Sequence, residues 1–120
     1  MKVTVRVSKS FKRLAKPLIK KYNSLSNELV QLQKDLENNP KLGTPIGSDS
    51  YKIRLAVKSK GKGKSGGLRV ISHLSSEIIG IFNNDGDEIS VTLVSIYDKS
   101  ETASISDKEL KELISGIEHE

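Results

Sequence analysis

The residues of this 120-residue chain best equipped for chemistry are cations. Lys52, Arg54 and Lys58 alternate with apolar residues in YKIRLAVK, Lys60, Lys62 and Lys64 follow in SKGKGKSGG, Arg69 lies in the next apolar run, and Tyr97-Asp98-Lys99 closes the last one. Strands laid side by side would gather these groups into a phosphate-binding surface, since a guanidinium presents a rigid fork of donors to an oxyanion. The ordinary alternative is a lysine-rich solvated edge that discourages sheet aggregation. Other chemistries are poorly supplied. Gly63-Lys64-Ser65 ends like a phosphate-binding P-loop, but Lys58 stands where its first glycine belongs and a strand, not a helix, follows. His73 and His119 are the only histidines, with no cysteine and no HxxxH pair, so neither a metal site nor a cofactor is expected. Carboxylates concentrate in the last 50 residues as the solvated surface of a turn and a helix, and no GxSxG elbow accompanies the serines.

The charge is segregated along the chain. Residues 1–22, 23–50, 51–70 and 71–120 carry net charges of +8, −2, +7 and −8, and the two positive blocks contain no acid at all. Such blocks set up a field suited to a polyanion. The length fits one domain, 1–120, and the 35% hydrophobic and 4% aromatic content implies a modest core of Leu, Ile and Val. With no cysteine there are no disulfides. MKVTVRV alternates where a signal peptide needs an unbroken apolar run, so a cytoplasmic location is expected. No stretch approaches the roughly 18 apolar residues of a membrane span.

These side chains need elements to position them. Val3, Val5 and Val7 alternate with Lys2, Thr4 and Arg6, the period of a half-buried strand over about 2–7. From Ser8 or Ser10 as N-cap, Phe11, Leu14, Ala15, Leu18, Ile19 and Tyr22 follow a helical period that contains Pro17, which predicts a kink or irregular early turns. A second helix runs from Ser24 or Ser26 through Leu25, Leu29, Leu32 and Leu36 to Asn38-Asn39-Pro40, close enough to the first to form a hairpin. Residues 40–50, PKLGTPIGSDS, read as a loop. In YKIRLAVK, Ile53, Leu55 and Val57 point one way and Lys52, Arg54 and Lys58 the other. A flexible basic turn over 59–67 precedes the strand LRVISHL. Asn83-Asn84-Asp85-Gly86 marks a hairpin turn before a last, well-buried strand over about 88–97. Ser106-Asp107-Lys108-Glu109 has the capping-box pattern for a final helix with Leu110, Leu113, Ile114 and Ile117 on one face. The expectation is an α+β fold of order βααβββα, with a mainly antiparallel four-stranded sheet packed on the helical hairpin and a short C-terminal helix.

The run KIRLAVKSKGKGKSGGLRVI followed by IYDKSE resembles the toxins of the RelE/ParE superfamily, in particular its RelE/HigB-like branch. The resemblance extends to FKRLAKPLIKKYNSL, the NPKLGTPIG loop and the closing ISDKELKELI, nearly the whole chain in order. It departs from the pattern at Pro17 and in the length of SSEIIGIFNNDGDE. It implies a toxin of a type II toxin–antitoxin pair with the βααβββα fold, a cognate antitoxin that wraps the toxin or covers its basic surface, and cleavage of mRNA bound in the ribosome. The ParE-like branch instead poisons DNA gyrase.

Metal-free RNA cleavage by ribose 2′-OH attack needs a base, stabilisation of the added negative charge and an acid for the leaving oxygen. Arg54 and Arg69, held on strands, are the candidates for gripping the phosphate. Crowding by cations favours a neutral amine, which makes Lys64 or Lys99 the candidate base or acid, with Tyr97 as stacking platform or proton carrier. Comparable Lys, Arg and Tyr side chains serve RelE-like enzymes, and Arg69, Tyr97 and Lys99 take those roles by their places in SGGLRVI and IYDKSE. Lys52, Lys58, Lys60 and Lys62 would add RNA attraction. A gyrase inhibitor would have no evident need for this cationic cluster, and a non-catalytic RNA-binding module would want more aromatics than Tyr51 and Tyr97 near it.

Overall fold

A computed structural model describes residues 2–61, 67–78, 87–102 and 104–118 of the chain. The Asn83–Gly86 turn, Lys62, Lys64 and His119 lie outside them.

Strand β1 (Lys2–Val7) turns Val3 and Val5 toward the core and leaves Val7 exposed at its end. The Ser8 hydroxyl then accepts a hydrogen bond from the Phe11 N–H at 3.0 Å, which settles the N-cap of α1 (Lys9–Lys21) at Ser8 rather than Ser10. The helix continues through Pro17, whose missing N–H deprives the Arg13 carbonyl of its usual partner. Residues 22–24 lead into α2 (Leu25–Asn38), which buries Leu25, Leu32 and Leu36. Both helices pack on one face of the sheet, where Phe11, Ala15, Leu25 and Leu36 meet Ile53, Leu68, Val70, Val91 and Ile96.

The segment over 40–50 is not all loop. Thr44–Gly47 forms a short strand, β2, paired antiparallel with β3 (Ser50–Leu55) through a tight turn in which Ser48 and Asp49 both take positive φ, 53° and 54°. Positive φ at both central residues matches the right-handed twist of a hairpin. Pro45 had disguised the strand, but a proline is tolerated on an edge, and β2 is one. Gly43 precedes it with φ +104°, and a Cβ there would sit 2.6 Å from the Lys52 carbonyl oxygen. Only glycine allows that close approach.

β3 stops at Leu55, short of the expected Lys58, and a 3₁₀ turn over Lys58–Lys60 follows. Lys58 therefore does not share the strand face of Lys52 and Arg54. Long strands β4 (Leu68–Ile78) and β5 (Asp87–Asp98) complete a sheet of order β1-β5-β4-β3-β2. β1 runs parallel to β5 while the remaining pairs are antiparallel, so the sheet has five strands and is mixed, where four were expected.

A bulge decides which residues of β5 face which side. Ile71 pairs with Ser95 but Ser72 pairs with Leu93, so Val94 is the extra residue. Before it, Val91 and Leu93 point to the helical hairpin; after it the phase is shifted, with Ile96 on that side and Tyr97 on the other. An extra residue in one strand of an antiparallel pair re-aims the side chains beyond it.

Helix α3 (Asp107–Glu118) covers the second face, packing Leu110 on Ile71 and Val94, with Tyr97, Ile105, Leu113, Ile114 and Ile117 around them. The Ser106 hydroxyl accepts from the Glu109 N–H at 3.1 Å and donates to its carboxylate at 3.1 Å, a variant of the expected capping box.

One group in the main core stands out. The Ser72 hydroxyl is fully buried with no hydrogen-bond partner among the described residues. An orphaned buried polar group costs about 1–3 kcal/mol. Ser72→Ala is therefore expected to raise the urea midpoint by the equivalent of about 1 kcal/mol at unchanged m-value.

Candidate functional site

Three of the expected site residues form one row across the sheet. Arg54 on β3 lies directly opposite Arg69 on β4, which lies directly opposite Tyr97 on β5. Ile53 and Val70 belong to the hairpin-side core, so the alternation of each strand turns Arg54 and Arg69 to the α3 side, where the bulge has also sent Tyr97. Lys52 shares that side, opposite Ile71. Directly opposed residues have Cβ atoms about 4.5–5.5 Å apart, and like charges so placed destabilise a sheet. An anion lodged between the two guanidiniums would relieve that repulsion.

The members of the row differ in access. Arg54 is exposed, whereas Arg69 is only 3% exposed and donates from Nη1 to the Leu68 carbonyl at 3.3 Å. Burial raises the Tyr97 pKa, and the Arg69 charge offsets that only in part. The phenol therefore keeps its proton at neutral pH and is available as a donor. Its oxygen is buried with no hydrogen-bond partner among the described residues. Tyr97 borders a cleft of about 420 Å³ between the end of β5, α1 and α3, with Ser10, Leu14, Ser95 and Leu113.

The lysines separate into two groups. Lys58 and Lys99 are exposed and Lys52 is half-buried, free of the constraint that holds Lys60. Lys60 places Nζ 3.4 Å from Asp98 Oδ2, with side chains only 10% and 4% exposed. Asp98 Oδ1 accepts from the Ser100 N–H at 3.0 Å and hydroxyl at 2.8 Å, and Oδ2 accepts from the Tyr22 hydroxyl at 3.3 Å. Burial alone would raise the Asp98 pKa, but the Ser100 hydrogen bonds and the Lys60 charge outweigh it and hold it below its ordinary value of 3.8. Lys60, placed by the sequence in a flexible basic turn, ties that turn to the end of β5. A second tie lies beside it. Glu28 on α2 accepts the Lys58 N–H at 2.7 Å, and the Ser24 and Ser59 hydroxyls are 2.8 Å apart. The start of the basic turn is thus pinned to both α2 and β5.

Asp98 and Tyr22 had escaped sequence reasoning as a pair, 76 positions apart. The only signal was an acid standing between Tyr97 and Lys99. His73 has a structural place: its Nδ1 lies 3.1 Å from the buried Ser50 hydroxyl, which fastens the β2–β3 turn to β4. Among the described residues, no three His, Asp or Glu side chains cluster to hold a metal ion, and no helix is long and apolar enough to cross a membrane.

The arrangement suits charge stabilisation. The row offers two guanidiniums and a phenol, donors of the type that stabilise charge on phosphate oxygens. No protein-family model matches the chain.

Proposed function

We propose that the chain is a RelE/HigB-like toxin of the RelE/ParE superfamily, a metal-independent endoribonuclease that cuts mRNA on the ribosome in the cytoplasm and is held in check by a cognate antitoxin. The observation that supports this reading best is the pair of opposed arginines, Arg54 and Arg69, with a proton-bearing Tyr97 next in the row. Like charges placed opposite each other on neighbouring strands repel, and an anion bound between them would lower that cost.

In this reading the ribose 2′-oxygen attacks the adjacent phosphorus and its proton passes to the base, Lys64 or Lys99. Arg54 and Arg69 take up the charge that grows on the non-bridging oxygens, and Tyr97 adds a hydrogen bond. The bond from phosphorus to the 5′-oxygen then breaks, and that oxygen takes a proton from the acid, the other of Lys64 and Lys99, leaving a 2′,3′-cyclic phosphate. Because Arg69 is nearly covered, substrate reaches it only when chain on the α3 side shifts. Among the described residues, the buried apolar cluster on that side is made of Ile71, Val94 and Leu110.

The same burial favours a second reading, a ParE-like gyrase inhibitor that needs no chemistry at Arg69. Primer extension on cellular mRNAs after a short pulse of expression separates the two. The nuclease predicts new 5′ ends inside translated regions, reduced about ten- to a hundred-fold in Arg54→Ala, the worth of one charge-assisted hydrogen bond. Growth arrest with intact mRNA and linearised or relaxed DNA would replace it with the gyrase reading.

A further inference from the structure

We propose that the cleft between the end of β5, α1 and α3 is a pocket for a guanine base of single-stranded RNA, so that the chain cuts beside G. This rests on the nuclease reading and adds a base to it. The cleft adjoins the Tyr97 end of the arginine row, and its volume of about 420 Å³ lies within the roughly 300–1,000 Å³ usual for small-ligand sites. It exists because β1 pairs with β5 only as far as Leu93; beyond that point α1 passes beside β5 in place of a strand. Ser95 lines the cleft and is 6% exposed, and its hydroxyl has no hydrogen-bond partner among the described residues. Glu109 and Glu112 also line it, three residues apart and so on one side of α3. Glu109 accepts from the Ser106 hydroxyl through Oε1, whereas Glu112 is exposed with no partner among the described residues. Leu14 and Leu113 supply apolar walls.

The charges separate backbone from base. Two carboxylates repel a phosphate, so the backbone stays with Arg54 and Arg69 and a base enters the cleft. A carboxylate is an acceptor only, and a buried hydroxyl without a partner needs an acceptor for its proton. Guanine meets both needs: N1–H and the N2 amino group are adjacent donors on its Watson–Crick edge, and O6 beside them accepts from Ser95. Adenine and cytosine set a ring acceptor next to their amino group, and uracil flanks its single donor with two carbonyls, so each turns a lone pair toward Glu112. Unpaired RNA bases are read through these edges. An aliphatic amine would answer the carboxylates but leave the Ser95 proton with nothing to receive it.

The test titrates the full, ¹⁵N-labelled chain with guanosine, inosine and adenosine 5′-monophosphates and follows the amide shifts of Ser95 and Glu112 by NMR. All three carry the same phosphate, so the arginine row contributes equally to each. The guanosine nucleotide is expected to bind at least about tenfold more tightly than the adenosine one, with inosine, which lacks the N2 amino group, in between. Glu112→Gln, at an exposed position of α3, should abolish that preference, and Ser95→Ala should weaken guanosine binding several-fold. Equal binding of the three nucleotides, or a preference that survives Glu112→Gln, overturns the proposal. So does spermidine shifting the same amides, in a chain indifferent to the base, which would make the cleft an amine site. Primer extension separates this inference from the nuclease reading. A chain that cuts mRNA without regard to G and binds the three nucleotides alike loses only the base pocket, and one that prefers the guanosine nucleotide yet cuts nothing loses only the nuclease.

Discussion

Replacing Arg69 by glutamine is expected to slow RNA cleavage about 100- to 1000-fold, the usual loss when one preorganised donor to a developing oxyanion is removed. Glutamine is the informative choice because Arg69 is 3% exposed. Alanine would leave a void as well as removing the charge, and lost activity would then be confounded with lost stability. Glutamine keeps a polar end of intermediate length, and a thermal melt of the variant separates lost activity from lost stability. A second signal reports the electrostatics directly. The Arg69 charge works against the burial that raises the Tyr97 pKa, so its removal should push that pKa higher still, visible by NMR of ring-labelled tyrosine. A purely packing role would leave the Tyr97 titration where it is. Full cleavage activity in a folded Arg69→Gln chain would take the phosphate away from this row.

The largest loss of stability is expected at Asp98. Its side chain is 4% exposed and answers the Lys60 ammonium, the Tyr22 hydroxyl and two donors of Ser100. Removing one partner of a buried ion pair costs about 3–5 kcal/mol, a large share of the roughly 5–15 kcal/mol that a domain possesses. Asp98→Ala should therefore lower the urea midpoint sharply, whereas Lys60→Met should cost less, since it leaves the carboxylate with its Tyr22 and Ser100 donors. The pH dependence has a definite sign. The folded pKa of Asp98 is depressed below its ordinary value of 3.8, so the stabilisation is fully present above that value and is lost as pH falls through the folded pKa. Stability should be insensitive to this group at neutral pH and decline below about pH 4. In Asp98→Asn that acid-side decline should flatten; an unchanged acid limb would mean that other carboxylates govern it.

Both expectations rest on placements that differ in how far local sequence could reveal them. The elements with strong periods were legible: the valine alternation of β1, the apolar stripes of α1, α2 and α3, and the β-branched runs of β4 and β5 each repeat within a few residues. Ser8 and Ser106 cap their helices through neighbours three residues away, so those signals are local too. The α+β class and the types of the charged residues followed from these patterns. Strand β2 did not, because Pro45 and its flanking glycines carry no strand period and are held extended by pairing with β3.

What the chain's own sequence determined, then, was which of the strongly periodic segments are helix or strand, β2 apart, and which side chains carry charge, since both depend on near neighbours. Tertiary structure alone decided the parallel seat of β1 against β5 and the bulge at Val94 that parts Tyr97 from the main core. It alone decided that Lys60 is tied to Asp98 while Arg69 is covered and Arg54 is open. These outcomes depend on register and packing between residues far apart in the chain, and a one-residue shift in register reverses the facing of every side chain beyond it.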